Sequence, residues 1–329
     1  MQSFLFALNA VAPIILMVAT GYILKKLGLM NENFVKKGNK LGFHLFLPVM
    51  LFMNVYKIED ISSVDVGYIV YAMVALIIIF AVSIPLVMLG TKRRDCRGVL
   101  LQSVFRSNYA LIGIPLAGSL FGAQGEAVAT LLSAVLIPAF NILAVISLSV
   151  FNTDGKRVNV WDIILGVIKN PLIQGIAAGA AVLIIRGIFK ANDISFRLSE
   201  LDAIYKVLGY LAAIATPLAL LILGAQFEFS AVRELKREII FGTVMRNFSV
   251  PALGIGVAYL FFRESFNGAH FAAFVAMFGT PVAVSSVAMA QEMGGNTELA
   301  GQLVVWTTAF SAISVFLASL LLRIAGVFV

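Results

Sequence analysis

Charged side chains are scarce in this sequence. Only 12% of its 329 residues are Asp, Glu, Lys or Arg, whereas 60% are hydrophobic. Soluble domains carry about 25% charged residues, so the composition excludes an ordinary soluble domain and indicates an all-α polytopic membrane protein. The net charge of +7 does not indicate a nucleic-acid partner, because the basic residues lie in short clusters between apolar stretches, as in cytoplasmic loops.

Residues that carry catalysis and metal binding are also few. The chain has two histidines, His44 and His270, and one cysteine, Cys96. It has no P-loop glycine pattern, no metal-ligand spacing and no Ser/His/Asp set, so we predict no enzyme activity, no cofactor and no metal. No acidic residue falls at the centre of a long apolar stretch. That disfavours a carboxylate proton relay or a dedicated sodium site, but carbonyls at a broken helix leave H⁺ and Na⁺ coupling both open.

Ten apolar stretches are long enough to cross a bilayer, since a span needs about 20 apolar residues. The first is followed by Lys25 and Lys26 and is not preceded by basic residues, so we interpret it as a true span and not as a signal peptide. The predicted spans are 3–24, 40–56, 66–90, 99–121, 127–150, 163–188, 207–226, 239–262, 269–291 and 300–325.

Basic residues predict the orientation. The connections after spans 1, 3, 5 and 7 hold roughly twice as many Lys and Arg residues as the opposite side, and cytoplasmic loops are enriched in them. We therefore expect a multi-pass protein of the cell inner (plasma) membrane with both termini outside.

The prolines indicate an internal repeat. The set Pro13, Pro48, Pro85 and Pro115 corresponds in order and spacing to Pro171, Pro217, Pro251 and Pro281. Five spans per repeat is an odd number, so the second copy must enter the membrane from the opposite side. We predict a 5 + 5 inverted repeat with halves 1–150 and 151–329.

Two Gly-x-Pro sequences lie within predicted spans 4 and 9, namely Gly113-Ile114-Pro115 and Gly279-Thr280-Pro281. Glycine loosens a helix and proline removes a donor, so we expect both helices to break there and to cross. Broken helices at membrane depth line a cavity or ligand site. Alternatively, each proline only kinks a packing helix.

The predicted broken ends favour an anion. Each new helix N-terminus carries roughly +0.5 elementary charge and free N–H groups, which suits a carboxylate. Asn108 lies two turns before Pro115, where its side chain can donate to a substrate or bond to a neighbouring helix. Thr280, Ser285 and Ser286 either line the cavity or bond to carbonyls of their own helix.

Three further polar residues fall near or inside spans. Arg106 and Arg246 either attract an organic anion to a vestibule or extend toward lipid phosphate. His44 either relays protons or has a structural role. Gly175 and Gly179 form a G-x-x-x-G in span 6, which predicts close helix packing.

These motifs resemble those of the auxin efflux carrier family, which includes the plant auxin carriers and bacterial organic-acid permeases. The resemblance covers nearly the whole chain. It rests on the following segments: Pro13–Gly21, Phe46-Leu-Pro48, the Asn-x-x-x-x-Gly-Ile-Pro pattern at 108–115, Thr216–Gly224, the Arg-x-x-x-x-Pro pattern at 246–251, and Pro281–Glu292.

The resemblance implies a fold like that of sodium/bile-acid symporters and sodium/proton antiporters, with crossed, broken helices 4 and 9. It implies a scaffold of helices 1, 2, 6 and 7, a transport domain of helices 3–5 and 8–10, an elevator motion and a homodimer. Asn108 matches a substrate-binding asparagine of the plant carriers. The short 5–6 connection and Leu51, where plant carriers have serine, point away from auxin-specific recognition.

We therefore predict a secondary transporter of small organic anions, such as malate or malonate, with the lipid bilayer as its environment. The alternatives are a carrier of auxin-like indole acids and a sodium-coupled organic-anion symporter. A channel is disfavoured because the spans hold few polar residues, and a membrane-embedded enzyme because no catalytic set is present.

Overall fold

The computed structural model describes residues 2–57, 66–151 and 160–328, and within them all regular secondary structure is helical. The predicted all-α class is therefore confirmed. The α-helices are α1 (Gln2–Lys26), α2 (Glu32–Leu41), α3 (Leu47–Tyr56), α4 (Val66–Gly90), α5 (Arg94–Phe105), α6 (Ile114–Val150), α7 (Val160–Lys169), α8 (Pro171–Ala191), α9 (Asp202–Gln226), α10 (Phe229–Glu234), α11 (Lys236–Val244), α12 (Val250–Phe262), α13 (Gly268–Gly279), α14 (Ser285–Glu292) and α15 (Thr297–Ile324).

Six helical segments among the described residues are long and apolar enough to cross a membrane. They are Val66–Gly90, Tyr109–Val150, Pro171–Ala191, Asp202–Gln226, Lys236–Phe262 and Thr297–Ile324. These segments identify a polytopic membrane protein, while the count of ten spans and the inverted repeat stay predictions. The predicted boundary at 150/151 opens a connection of which residues 152–159 lie outside the described part of the chain.

One long helix changes direction within its length. In α6, Phe121 and Gly122 leave helical geometry, and Gly122 has φ +62°. Glycine adopts this left-handed region without a Cβ clash. The bend falls in the predicted connection between spans 4 and 5, and it divides α6 into two helices, the C-terminal part of span 4 and span 5.

Three π-helical turns accommodate three of the prolines. They cover Gly42–Phe46, Tyr109–Gly113 and Met245–Ser249. Each ends two residues before a proline, and these prolines are Pro48, Pro115 and Pro251. A proline ring clashes with the carbonyl four residues earlier in an α-helix, and the wider π turn moves that carbonyl away. The helix therefore continues through Gly113-Ile114-Pro115, and the predicted break at this motif is wrong.

Close helix contacts build the group of helices around α3, α8 and α9. α1 packs on α9, and α3 packs on both α8 and α9. A Cβ added to Gly175 would lie 2.4 Å from the Pro48 carbonyl oxygen, and one added to Gly179 would lie 2.8 Å from the Val55 Cβ. The close packing predicted from the G-x-x-x-G sequence is thus confirmed, between α8 and α3.

We expect Gly175→Ala to destabilise the protein by about 1–3 kcal/mol, because the backbone of α3 must shift to admit the methyl group. Melting temperatures of the purified variant and the wild-type protein in detergent measure this. Gly187→Ala is the control on the same helix, because nothing lies within 4 Å of its added Cβ. It gains only helix propensity. Equal melting temperatures for the two variants would show that the α8–α3 contact tolerates a side chain.

Candidate functional site

The site lies where two interrupted helices contact each other at their breaks. α5 ends at Phe105 and the π turn begins at Tyr109, while α13 ends at Gly279 and α14 begins at Ser285. Ser107 and Val282 form an antiparallel bridge between the two breaks, and the Asn108 N–H donates to the Pro281 oxygen at 2.7 Å. We call residues 106–108 and 280–284 together the crossover. The crossover thus satisfies part of its backbone hydrogen bonding internally, and the Val282 N–H donates to the Thr307 hydroxyl at 3.1 Å, as a break among apolar helices requires.

The C-terminal ends of the two interrupted helices share one cation, Arg246. Its side chain is fully buried, with 0% exposure. Its Nε donates to the Thr280 oxygen at 2.8 Å, one terminal nitrogen to the Val104 oxygen at 3.0 Å and the other to the Met277 oxygen at 2.8 Å. Helix C-termini carry partial negative charge, so Arg246 offsets the ends of α5 and α13 at once. Neither interpretation predicted for Arg246 is correct, because it contacts neither a vestibule nor lipid.

The N-terminal ends of the resumed helices line a cavity of about 550 Å³. Residues 107–111 lie at its edge from one break and residues 283–285 from the other. α3, α6, α8 and α9 complete the walls, which are mainly apolar; the apolar residues include Leu47, Leu51, Leu111, Ile137, Phe140 and Leu172. Lys57, which is exposed, lies at the rim. Both helix N-termini therefore bring partial positive charge to one cavity.

Arg106 supplies a full positive charge to this cavity. Its side chain is 3% exposed and lines the cavity, so the predicted extension toward lipid is wrong. One terminal nitrogen donates to the Asn141 Oδ1 and the Ser285 Oγ, both at 2.8 Å. The other contacts the Ser286 Oγ at 3.4 Å and the Met289 sulfur. In the described part of the chain, all these partners are neutral.

Unpartnered polar atoms accompany Arg106. The Asn108 Nδ2 and the Ser107 Oγ are buried, and among the described residues neither atom has a hydrogen-bond partner. Both residues line the cavity. Because buried polar groups are normally hydrogen-bonded, unpartnered atoms at a cavity wall are suited to a ligand. A guanidinium, a free amide donor and two helix N-termini together favour an anion.

The other predicted site residues lie outside the cavity lining. Gly113, Ile114 and Pro115 lie beyond the π turn, and Gly113 packs near the Ala276 oxygen. Gly279, Thr280 and Pro281 are buried in the second break. The Thr280 hydroxyl donates to the Ala276 oxygen, so of its two predicted alternatives the bond to its own helix is the one observed. Gly279, Thr280 and Pro281 therefore shape the second break and do not line the cavity.

His44 is exposed on the π turn between α2 and α3, and its Nδ1 contacts the Lys40 oxygen at 3.0 Å. It lies outside the residues that line the cavity. The structure therefore does not bring His44 to the crossover. Among the described residues, no group of three or more His, Cys, Asp and Glu side chains is placed to hold a metal ion.

Sequence reasoning missed Asn141. It lies on α6, is 3% exposed, and accepts the hydrogen bond from Arg106. Its Nδ2 donates to the Ile137 oxygen of its own helix at 2.8 Å. An asparagine inside the apolar stretch 127–150 was the available signal, because a polar residue within a span is a candidate functional residue.

A cluster of amide side chains joins α2 and α9 to α14 at a second place. Asn39 of α2 donates to Gln226 of α9 at 3.2 Å and to Gln291 of α14, and Gln226 donates to Gln291 at 3.0 Å. The cavity meets α9 between Gly209 and Ala219, whereas Gln226 ends that helix. Ala219, the cavity residue of α9 nearest to Gln226, precedes it by seven residues, about 10 Å along a helix, so the amide cluster lies beyond the end of the cavity.

The fold and the site define a polytopic membrane protein with a cavity at two interrupted helices. In agreement, residues 6–162 and 163–319 match the family described as membrane transport protein. The chain belongs to this family, and the resemblance to the auxin efflux carriers is confirmed. An uncharacterized transporter of Methanothermobacter thermautotrophicus is 23% identical to this chain, over 97% of the chain and 99% of the relative. These matches indicate a transporter and not an enzyme.

Proposed function

We propose that this protein is a secondary active transporter of small organic anions, carboxylates resembling malate or malonate, and that the crossover is its binding site. The observation that carries the proposal is the buried guanidinium of Arg106, which lines the cavity with only neutral partners in the described part of the chain. A charged group at membrane depth is stable when a counter-ion is near it. A substrate carboxylate supplies that counter-ion.

Asn108 and Ser285 orient the same carboxylate. Asn108 has an unpartnered Nδ2 at the cavity wall, and the Ser285 hydroxyl already contacts Arg106. The helix N-termini that begin at Tyr109 and Ser285 add partial positive charge. Charge-assisted hydrogen bonds of this kind are about twice as strong as neutral ones, so they favour carboxylates over neutral analogues.

We further propose elevator-type alternating access, in which α1–α3, α8 and α9 form a fixed scaffold and the remaining long helices move with the crossover. The cavity lies between these two groups of helices, and the amide cluster of Asn39, Gln226 and Gln291 joins them elsewhere. The two matched segments have equal length, which supports a 5 + 5 inverted repeat. A homodimer in the plasma membrane with both termini outside completes this proposal.

We expect Asn108→Ala to weaken carboxylate binding by about 1–2 kcal/mol, roughly 5- to 30-fold, because a donor to the anion is lost. The experiment follows the melting temperature of purified protein against malate, malonate and citrate, since binding to the native state raises stability by mass action. Asn33→Ala, on the exposed surface of α2, is the control. Unchanged affinity in a folded Asn108→Ala variant would remove Asn108 from the site.

A carrier of indole acids is the second candidate, and the apolar walls of the cavity favour it. Phe140, Leu111 and Leu172 offer an aromatic ring a surface that malate does not use. Indole acetate in the same melting experiment separates the two: a larger shift for indole acetate than for malate and malonate supports the second candidate.

A further inference from the structure

Among the described residues, no carboxylate and no backbone carbonyl bonds to the Arg106 guanidinium, and this sets it apart from Arg246. Both side chains are buried. Arg246 binds three carbonyls at the C-termini of α5 and α13, whose dipoles offset its charge. Arg106 instead contacts an amide oxygen, two hydroxyls and a thioether. In the described part of the chain, no carboxylate lies within ion-pair distance of it.

The free energy of this buried charge differs between an open and a closed cavity. In an open cavity of about 550 Å³, water reaches the wall at which the 3% exposed Arg106 lies and offsets part of the cost of its charge. Alternating access requires a state in which the site is closed to both sides and most of that water has left. An unpaired charge in such an environment is strongly disfavoured, whereas a bound carboxylate neutralises it.

We propose that Arg106 blocks passage of the empty carrier, so that the protein exchanges one organic anion for another and does not catalyse net transport. This inference rests on the proposed function, because it presumes a carboxylate site at the crossover. With an anion bound and Arg106 neutralised, the carrier changes between its outward-open and inward-open states in both directions. Without an anion, it stays in one of these states until an anion binds.

Asn141 is a positioning residue in this scheme. Its Oδ1 holds the guanidinium at 2.8 Å without neutralising it, which keeps the charge available to the substrate. Asn141→Asp is nearly isosteric and places a carboxylate at the same position. The variant then carries a permanent counter-ion, and it resembles the loaded carrier in charge.

The experiment measures uptake into proteoliposomes whose membrane potential is clamped with valinomycin and potassium. Radiolabelled malate and radiolabelled indole acetate are the probes. Vesicles contain either buffer or millimolar unlabelled acid. We expect initial uptake to be about 10-fold faster or more into loaded vesicles, as a blocked empty return requires. Equal rates into loaded and empty vesicles would overturn the exchange inference.

Asn141→Asp provides the second measurement. We expect its affinity for both probes to fall roughly 10- to 100-fold, because an internal carboxylate competes for Arg106. We also expect its ligand-free melting temperature to rise, which a merely damaged site does not produce. Asn54→Asp is the matched control. Asn54 also lines the cavity, but no hydrogen bond joins it to Arg106 in the described part of the chain. We expect Asn54→Asp to lose less affinity than Asn141→Asp.

The outcomes separate this inference from the proposed function. Binding of a probe with uptake that is independent of internal acid overturns exchange and leaves a carboxylate transporter. An Asn141→Asp variant that binds a probe as tightly as wild type also overturns the inference. Failure of every acid to bind or to enter the vesicles overturns the proposed function and exchange together.

Discussion

Arg106→Gln is expected to lose carboxylate binding almost completely. Glutamine keeps a donor near Asn141 and Ser285. It removes the full charge of Arg106, which among the described residues is the only buried charge that lines the cavity. Removing one partner of a buried, hydrogen-bonded charge pair costs about 2–5 kcal/mol, roughly 30-fold or more in affinity. Titration of malate, malonate and indole acetate against the melting temperature measures the loss.

The ligand-free stability of the same variant distinguishes binding from folding. Arg106 has only neutral partners in the described structure, so its burial costs free energy in the empty protein. We therefore expect ligand-free Arg106→Gln to melt no lower than wild type. Arg106→Lys, which keeps the charge but loses the planar fork, should retain part of the affinity. Wild-type affinity in Arg106→Gln would contradict the carboxylate site.

The sequence allowed the class of the fold and the position of the second helix break to be predicted, because both depend on local chemistry. Apolar stretches must be helical in a bilayer, and this rule is independent of tertiary contacts. The second break also lies at its predicted motif, Gly279-Thr280-Pro281. There the proline lies in an extended segment whose carbonyl accepts from Asn108.

The first break could not be placed in the same way, because a proline in an apolar stretch does not always break the helix. Before Pro115 the helix widens into a π turn and continues, so Gly113 and Pro115 carry no break. The chain leaves helical geometry at Arg106 and Asn108 instead. Which outcome occurs depends on partners far away in sequence, here the bridge from Ser107 to Val282. The run Arg106-Ser107-Asn108 inside an apolar stretch was the local signal.

The two arginines illustrate a second limit. Arg106 and Arg246 have the same sequence context, a cation near the end of an apolar span, and the same two interpretations applied to both. The structure gives them opposite surroundings, since Arg246 meets carbonyls of two distant helix ends and Arg106 meets a cavity. Such surroundings follow from tertiary packing, which no periodicity encodes.

Arg246→Met should have the largest effect on folding. Methionine fills part of the volume but leaves the oxygens of Val104, Met277 and Thr280 without their donor. An unsatisfied buried polar group costs about 1–3 kcal/mol, so three together give an expected destabilisation of about 3 kcal/mol or more. Melting temperature and the monodisperse fraction in size-exclusion chromatography measure the loss.

Two further variants locate the cause of that loss. Arg246→Lys keeps the charge near the ends of α5 and α13 but cannot reach three carbonyls with a rigid fork, so it should lie between methionine and wild type. Arg233→Met removes an exposed arginine of α10 and should leave the melting temperature within about 0.5 kcal/mol of wild type. If Arg246→Met melts like Arg233→Met, the crossover is held by its backbone bridge and helix packing alone. Arg246 would then offset the helix ends without stabilising them.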